Sequence, residues 1–80
     1  MEEYRSIIKE ILGEIEPYEE IENDTDLIES QILDSLSIVV LVTQLEDKYN
    51  IVIDENKVLP QNFKSINIIA GILNELLNTR

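Results

Sequence analysis

The stretch Gln31–Tyr49, QILDSLSIVVLVTQLEDKY, decides the fold. Its centre, Ile38–Val42, is rich in β-branched residues and could belong to a buried strand. Length favours a helix instead, because about fifteen residues follow Asp34 without an internal glycine or proline. Apolar side chains in this stretch also recur at the helical spacing i, i+3, i+4, i+7 and i+11: Ile38, Leu41, Val42, Leu45 and Tyr49. We therefore predict a helix over Ser35–Tyr49.

Two further segments show the same helical spacing. The first, Glu2–Ile15, has two glutamates in its first turn, where they favour the helix dipole, and Pro17 stops it. The last begins after Ser65, its predicted N-cap, and runs to Leu77. Gly71 weakens this helix by about 1 kcal/mol relative to alanine without ending it. The apolar positions are Tyr4, Ile7, Ile8, Ile11, Leu12 and Ile15 in the first, and Ile66, Ile69, Ala70, Leu73, Leu76 and Leu77 in the last.

Two long connections join these helices. Residues 16–34 are acidic and polar, but several apolar residues can pin them to the helices: Ile21, Leu27, Ile28, Ile32 and Leu33. In residues 50–64, Pro60 can open a short helical turn that reaches Phe63. The sequence thus predicts an all-α fold, a four-helix bundle of three main helices and one short helix, in a single domain of residues 1–80. Since the chain has no cysteine, packing alone must hold the bundle together.

The net charge of −11, from 17 acidic and 6 basic residues, bears on possible partners. An acidic surface repels phosphate backbones, so we expect no nucleic-acid binding. Such a surface would attract a basic patch on a protein partner, although solubility alone explains it equally well. No apolar run approaches the ~20 residues that span a bilayer, and the N-terminus MEEYRSIIKE lacks the order of a signal peptide. We expect a cytoplasmic protein.

The serine at position 35 has no catalytic partner in this sequence. Nucleophilic serine chemistry needs a base within hydrogen-bond reach, most often histidine, and the chain contains no histidine. No lysine stands at a spacing that singles it out as a substitute. The acidic segment NDTDLIES also fails as a calcium loop. Counted from Asp24, Glu29 falls where glycine is needed and Ser35 where a bidentate glutamate is needed. We therefore predict no catalytic residues and no metal ligands.

Two interpretations of Ser35 follow from the sequence. Either Ser35 or Asp34 can cap the helix by accepting hydrogen bonds from the free N–H groups of its first turn. If Asp34 caps, Ser35 can point outward, and a phosphodiester there would lie at a helix N-terminus that tolerates anionic oxygens. At ~100° per residue, Leu36 and Val40 lie opposite the buried face, beside Thr43 and Asp47. Two explanations fit these apolar residues. Either they form a docking surface near Ser35, or the bundle wraps further round the helix and covers them.

Three segments resemble acyl and peptidyl carrier proteins, whose Asp-Ser-Leu motif opens the second helix. The segments are LDSLSIVVLVTQLEDKYNIVI, DLIESQILDSL and VLPQNFKSINIIAGIL, and the resemblance covers Ile7 to Leu77. It implies that a separate phosphopantetheinyl transferase attaches 4′-phosphopantetheine, taken from coenzyme A, to Ser35. The resulting phosphoprotein would hold an acyl or aminoacyl group as a thioester on the terminal thiol of this arm. Asp34 and Leu36 would help the transferase and other partner enzymes to recognise the site.

The same resemblance implies a carrier that does no bond-making itself. An acyl- or aminoacyl-loading ligase or synthase would charge it, and downstream transferases would take the cargo in fatty-acid or secondary-metabolite biosynthesis. We expect the carrier to be a monomer that meets these enzymes along its second helix, with charge assisting the encounter.

The chain departs from the family pattern at three positions. Many carriers have glycine two residues before the motif aspartate, where this chain has Ile32. Fatty-acid carriers have acidic residues early in the second helix, where this chain has Ser37 and Val40. The ILDS segment is more similar to stand-alone carriers that serve an adenylating ligase, the D-alanyl carrier proteins among them.

A second functional class is also compatible with the sequence. In this alternative the chain is a non-carrier, acidic, helical protein-interaction module in which Ser35 only caps a helix. Replacing Ser35 with alanine would then lower the free energy of unfolding by about 0.5–2 kcal/mol and leave partner binding otherwise intact.

Overall fold

The computed structural model describes residues 2–78 of the chain. Three α-helices follow one another: α1 over Glu2–Ile15, α2 over Ser35–Tyr49 and α3 over Ile66–Asn78. Two 3₁₀ turns, Glu55–Lys57 and Pro60–Phe63, lie between α2 and α3. Residues 2–78 contain no β-strand, and the predicted all-α bundle is confirmed. None of the helices described combines the length and apolar character that crossing a membrane requires.

Most predicted helix bounds agree with the structure. The β-branched run of α2 is helical, and Pro60 occupies the first turn of the 3₁₀ segment that ends at Phe63. At the start of α3, the Ser65 hydroxyl accepts a hydrogen bond from the backbone N–H of Ile68 at 3.2 Å, so it is the predicted N-cap. The 3₁₀ turn at Glu55–Lys57 was not predicted, and the bundle therefore has one more short helical element than expected.

The long connection of residues 16–34 is an integral part of the fold. Its buried apolar side chains join the core that the three helices form: Leu27, Ile32 and Leu33. Two backbone hydrogen bonds also tie it to the start of α3. The N–H of Leu27 donates to the carbonyl of Lys64 at 2.7 Å, and the N–H of Asn67 donates to the carbonyl of Asn23 at 3.0 Å. The connection is thereby held against the helices, as its apolar residues predicted.

The start of α1 meets the end of α2 through two tyrosines. The rings of Tyr4 and Tyr49 lie with their centroids 5.7 Å apart and their planes at 80°, an edge-to-face contact. Burial raises the pKa of the Tyr49 hydroxyl, and the nearby Glu3 and Tyr4 raise it further. This contact helps to hold the C-terminal end of α2 against α1.

Glu46 organises the chain where α2 ends. Its carbonyl accepts from the N–H groups of Asn50 and Ile51, and Asn50 is in the left-handed conformation with φ of 53°. This arrangement is a common helix stop. The Glu46 carboxylate accepts from the N–H of Ile53 at 2.7 Å. The Ile53 side chain can then enter the core, which ties the second connection to the same bundle.

Candidate functional site

Asp34 is the N-cap of α2. Its backbone is extended, with φ of −118° and ψ of −175°, and its Oδ1 accepts from the backbone N–H of Ser37 at 2.8 Å. This hydrogen bond holds the pKa of the Asp34 carboxyl below its usual value, because it favours the ionised form. The interpretation in which Ser35 caps α2 is therefore wrong: the residue before it already has that role.

Ser35 is consequently the first residue of α2, and it is exposed to solvent. Its hydroxyl makes no hydrogen bond to any other residue in the described range 2–78. The N–H groups of the first helical turn and the positive end of the helix dipole lie close to it, which favours a negatively charged group at this position. The geometry thus leaves an accessible hydroxyl at the N-terminal end of α2.

The chain immediately before Asp34 is anchored to the core. Leu33 is buried, and its N–H donates to the carbonyl of Leu27 at 2.9 Å. Gln31 takes the left-handed conformation with φ of 65°, which turns the chain so that Ile32 and Leu33 can both reach the core. The position of Ser35 is set by this anchored approach as well as by α2.

Asp26 holds the part of the first connection that faces Ser35. Its Oδ1 accepts from the N–H groups of Glu29 at 2.9 Å and Ile28 at 3.2 Å, and its Oδ2 lies 3.8 Å from the Nζ of Lys64. The Glu29 hydrogen bond, helped by Lys64, holds the pKa of the Asp26 carboxyl below its usual value. These contacts fix the backbone at Ile28, whose side chain forms part of the wall described next.

A groove of about 300 Å³ opens directly beside Ser35. Its walls come from the first connection, the first turns of α2 and the segment around the second 3₁₀ turn, and they are mostly aliphatic. The residues that line it are Ile28, Leu33, Asp34, Ser35, Ile38, Val39, Val58 and Pro60. Sequence reasoning did not identify Val58 and Pro60 as neighbours of Ser35, because periodicity within a segment carries no information on contacts between distant loops.

An apolar ridge runs from Ser35 along the solvent side of α2. Leu36 is 73% exposed and Val40 is 39% exposed, so the prediction that they lie away from the core is confirmed. Val39, which is 53% exposed, belongs to the same ridge and was missed. The spacing 36, 39, 40 follows the i, i+3, i+4 rule and could have identified it. We call Leu36, Val39 and Val40 the α2 ridge.

The α2 ridge lies in an uncharged part of an acidic protein. From Ser35 to Leu45 the sequence contains no charged residue. Thr43, the next polar residue along the ridge, donates its hydroxyl hydrogen to the carbonyl of Val39 at 2.8 Å, so its polar atom serves the helix backbone. By contrast, the connection of residues 16–34 contains eight acidic residues and no basic one. The surface next to Ser35 is therefore apolar on the helix and acidic on the connection.

Comparison with protein families identifies this arrangement. The family model described as "Phosphopantetheine attachment site" matches residues 5–73, which include most of α1, both connections, all of α2 and the first part of α3. No curated protein and no solved structure gives a significant match. The chain therefore belongs to the acyl-carrier-like family of phosphopantetheine attachment domains, which carry the 4′-phosphopantetheine group and are not enzymes.

Proposed function

We propose that the chain is a single carrier domain with Ser35 as its attachment residue, and that it presents an acyl or aminoacyl thioester to partner enzymes. The observation that carries this proposal is the exposed Ser35 hydroxyl at the first position of α2, which Asp34 relieves of any capping role. The alternative of a non-carrier module depended on Ser35 being the cap. It loses its basis, because the cap is Asp34.

The residues around Ser35 suit a phosphodiester-linked arm. An anionic phosphate oxygen there would meet the N–H groups at the start of α2, which are suited to negative charge. The groove between Ile28, Val39 and Val58 leaves open space beside the hydroxyl, so a substituent does not have to displace packed side chains. When bound, the arm supplies a terminal thiol on which the cargo is held as a thioester.

The contribution of Ser35 to its own modification is a nucleophilic oxygen. In the attachment reaction the Ser35 Oγ forms a bond to phosphorus as the pyrophosphate linkage of coenzyme A breaks, and 3′,5′-ADP leaves. The chain has no histidine to take the hydroxyl proton, and this proposal gives that role to a base on the transferase. Asp34 keeps the first turn of α2 in place while its carboxylate is occupied by the Ser37 N–H.

The proposed partners are a phosphopantetheinyl transferase, an acyl- or aminoacyl-loading ligase or synthase, and downstream transferases, all acting on a cytoplasmic monomer. The uncharged start of α2 supports a stand-alone carrier served by an adenylating ligase, since Ser37 and Val40 stand where fatty-acid carriers have acidic residues. A direct test is to offer the phosphopantetheinylated protein to adenylating ligases with ATP and a panel of amino acids and short acids. Thioester formation is read from the intact mass.

The attachment site itself is tested by incubation with a phosphopantetheinyl transferase and coenzyme A, followed by intact-mass measurement. The wild-type protein should gain the mass of one arm, and Ser35→Ala should gain none. Ser37→Ala is the matched control, because it removes a hydroxyl from the same helical turn while its backbone N–H still bonds to Asp34. A mass gain that persists in Ser35→Ala would show that the arm is attached elsewhere.

A further inference from the structure

We propose that Asp26, nine residues before Ser35, is a positioning residue for the attachment reaction. Its carboxylate holds the first connection in the shape that places both a wall of the groove and the cap of α2. Ser35 is presented to the transferase in a reactive position only while that shape is kept. This role rests on the proposed function, since it assumes that a transferase modifies Ser35.

Asp26 holds a single turn of the chain at both of its ends. Its Oδ1 accepts from the N–H groups of Ile28 at 3.2 Å and Glu29 at 2.9 Å, and its carbonyl accepts from the N–H of Ser30 at 3.1 Å. Within residues 2–78, the N–H groups of Ile28 and Glu29 donate to no backbone carbonyl. Both therefore depend on the Asp26 carboxylate, and its removal leaves the start of the turn without an acceptor.

The first route from Asp26 to the site runs through Ile28. The Ile28 side chain packs against the core and lines the groove beside Ser35, together with Val39 and Val58. Because Ile28 stands on the turn that Asp26 holds, the wall of the groove keeps its position only while the turn stays closed. Opening of the turn would change the space into which an arm on Ser35 extends.

The second route is a relay of backbone hydrogen bonds. The N–H of Leu27 donates to the carbonyl of Lys64 at 2.7 Å, and the carbonyl of Leu27 accepts from the N–H of Leu33 at 2.9 Å. Leu33 is buried and directly precedes Asp34, whose carboxylate caps α2. Since Leu27 belongs to the turn that Asp26 holds, a change at Asp26 reaches the cap of α2 through Leu27 and Leu33.

The hydrogen bonds of Asp26 matter more for this role than its charge. The Nζ of Lys64 lies 3.8 Å from the Asp26 Oδ2, and the Lys64 side chain is 58% exposed, so the ion pair is weak. The Glu29 hydrogen bond is the largest influence that lowers the pKa of Asp26, ahead of Lys64. A neutral amide oxygen can accept the same two N–H groups, so Asp26→Asn should keep the turn closed.

A positioning role and a merely structural role predict different kinetics. Attachment needs the Ser35 Oγ close to the phosphorus of coenzyme A, and a misplacement of about 1 Å can cost up to about 100-fold in rate. A misplaced Ser35 therefore lowers kcat of the transferase. Simple destabilisation instead lowers the fraction of folded substrate, which raises the apparent KM in proportion and leaves kcat unchanged.

The test is to measure kcat and KM of a phosphopantetheinyl transferase for the chain as its protein substrate, at saturating coenzyme A, with the arm detected by intact mass. Asp26→Ala removes the acceptor, and Asp26→Asn keeps it. Thr25→Val is the matched control one residue earlier. It removes a side-chain oxygen that accepts from the N–H of Glu22 at 2.8 Å, a hydrogen bond outside the turn that Asp26 holds.

We expect Asp26→Ala to lower kcat about tenfold while KM stays within about twofold of the wild-type value. Asp26→Asn and Thr25→Val should keep the wild-type kcat. In amide NMR spectra of the labelled protein, Asp26→Ala should shift the signals of Ile28 and Ser35, and Thr25→Val should leave both in place. The proposal is overturned if Asp26→Ala raises KM with kcat unchanged, or if Asp26→Asn is as slow as Asp26→Ala.

A further variant covers the case in which Asp26→Ala does not fold. Asp26→Glu keeps the charge but displaces the acceptor by one methylene, so it should lower kcat without changing KM. A wild-type kcat for Asp26→Glu would then overturn the proposal.

The intact mass of the wild-type protein separates this result from the proposed function. If the wild type gains no arm, the proposed function itself fails. If the wild type gains one arm at Ser35 and Asp26→Ala gains it with the same kcat, Ser35 remains the attachment residue and only the role of Asp26 is wrong.

Discussion

Ser35 and Ser65 both stand at the N-terminal end of a helix, yet the structure uses them in opposite ways. Ser65 precedes α3, is only 8% exposed, and accepts from the Ile68 N–H at 3.2 Å. Ser35 follows its cap, is the first residue of α2 and is open to solvent. The preceding residue makes the difference. Lys64 has no side-chain acceptor, so Ser65 must cap, whereas Asp34 caps in place of Ser35. The Ser35 hydroxyl is left accessible because Asp34, the residue before it, caps the helix.

The largest effect expected from this contrast is on stability. Ser65→Ala should lower the free energy of unfolding by about 0.5–2 kcal/mol, because it leaves an N–H of the first turn of α3 without its cap. Ser35→Ala should change it by less than about 0.5 kcal/mol, as exposed substitutions usually do. Urea unfolding followed by circular dichroism gives both values.

The same two variants should differ in the opposite sense in the attachment assay, where Ser35→Ala has the larger effect. Ser65→Ala should still gain one arm under conditions in which the protein is folded, and Ser35→Ala should gain none. Equal destabilisation by the two substitutions would show that Ser35 does cap α2 in solution.

A somewhat smaller effect is expected within α3. Gly71 lies inside the helix, and a Cβ atom there would meet open space. Gly71→Ala should therefore raise the free energy of unfolding by about 0.8–1 kcal/mol through helix propensity alone. The rate of arm attachment should stay the same, since the proposed attachment residue lies on α2 and not on α3. A changed attachment rate in this variant would mean that α3 takes part in recognition.

The smallest expected effect is a pH dependence of stability that distinguishes the Asp34 cap of α2 from the Ser65 cap of α3. The folded-state pKa of Asp34 is lowered, so its carboxylate stabilises the protein above the unfolded-state pKa of about 3.9, and this contribution is lost as pH falls through the folded-state value. The difference in unfolding free energy between wild type and Asp34→Ala should shrink between pH 6 and pH 3. The corresponding difference for Ser65→Ala should not change, because a hydroxyl does not titrate in this range. A pH-independent difference for Asp34→Ala would contradict the assigned cap.

Much of the helical architecture could be predicted because it depends on local spacing. Apolar periodicity gave the bounds of α1 and α2, and the uninterrupted length of the Ser35–Tyr49 segment outweighed its β-branched composition. Cap and proline chemistry located the start of α3 and the second 3₁₀ turn. These signals all act within a few residues of one another, which is why a single sequence carries them.

The rest depended on contacts between distant segments. Asp34 and Ser35 can both accept a hydrogen bond, and only the extended backbone at Asp34 decides which one caps. The groove beside Ser35 brings Ile28 and Val58 together from two connections, a pairing that no periodicity encodes. The 3₁₀ turn at Glu55–Lys57 is so short that its one local signal was the Asp54 side chain, which accepts from the N–H of Asn56 at 2.9 Å.

The tyrosine pair of the bundle has a spectroscopic consequence. The chain has three tyrosines and no tryptophan, so its near-ultraviolet circular dichroism and emission come almost entirely from tyrosine. Tyr18 is 98% exposed and surrounded by water whether the protein is folded or not, which makes it a constant background. The variable signal belongs to Tyr4 and Tyr49, whose rings meet edge to face. An optical melting curve of this carrier therefore records, above all, the parting of the start of α1 from the end of α2.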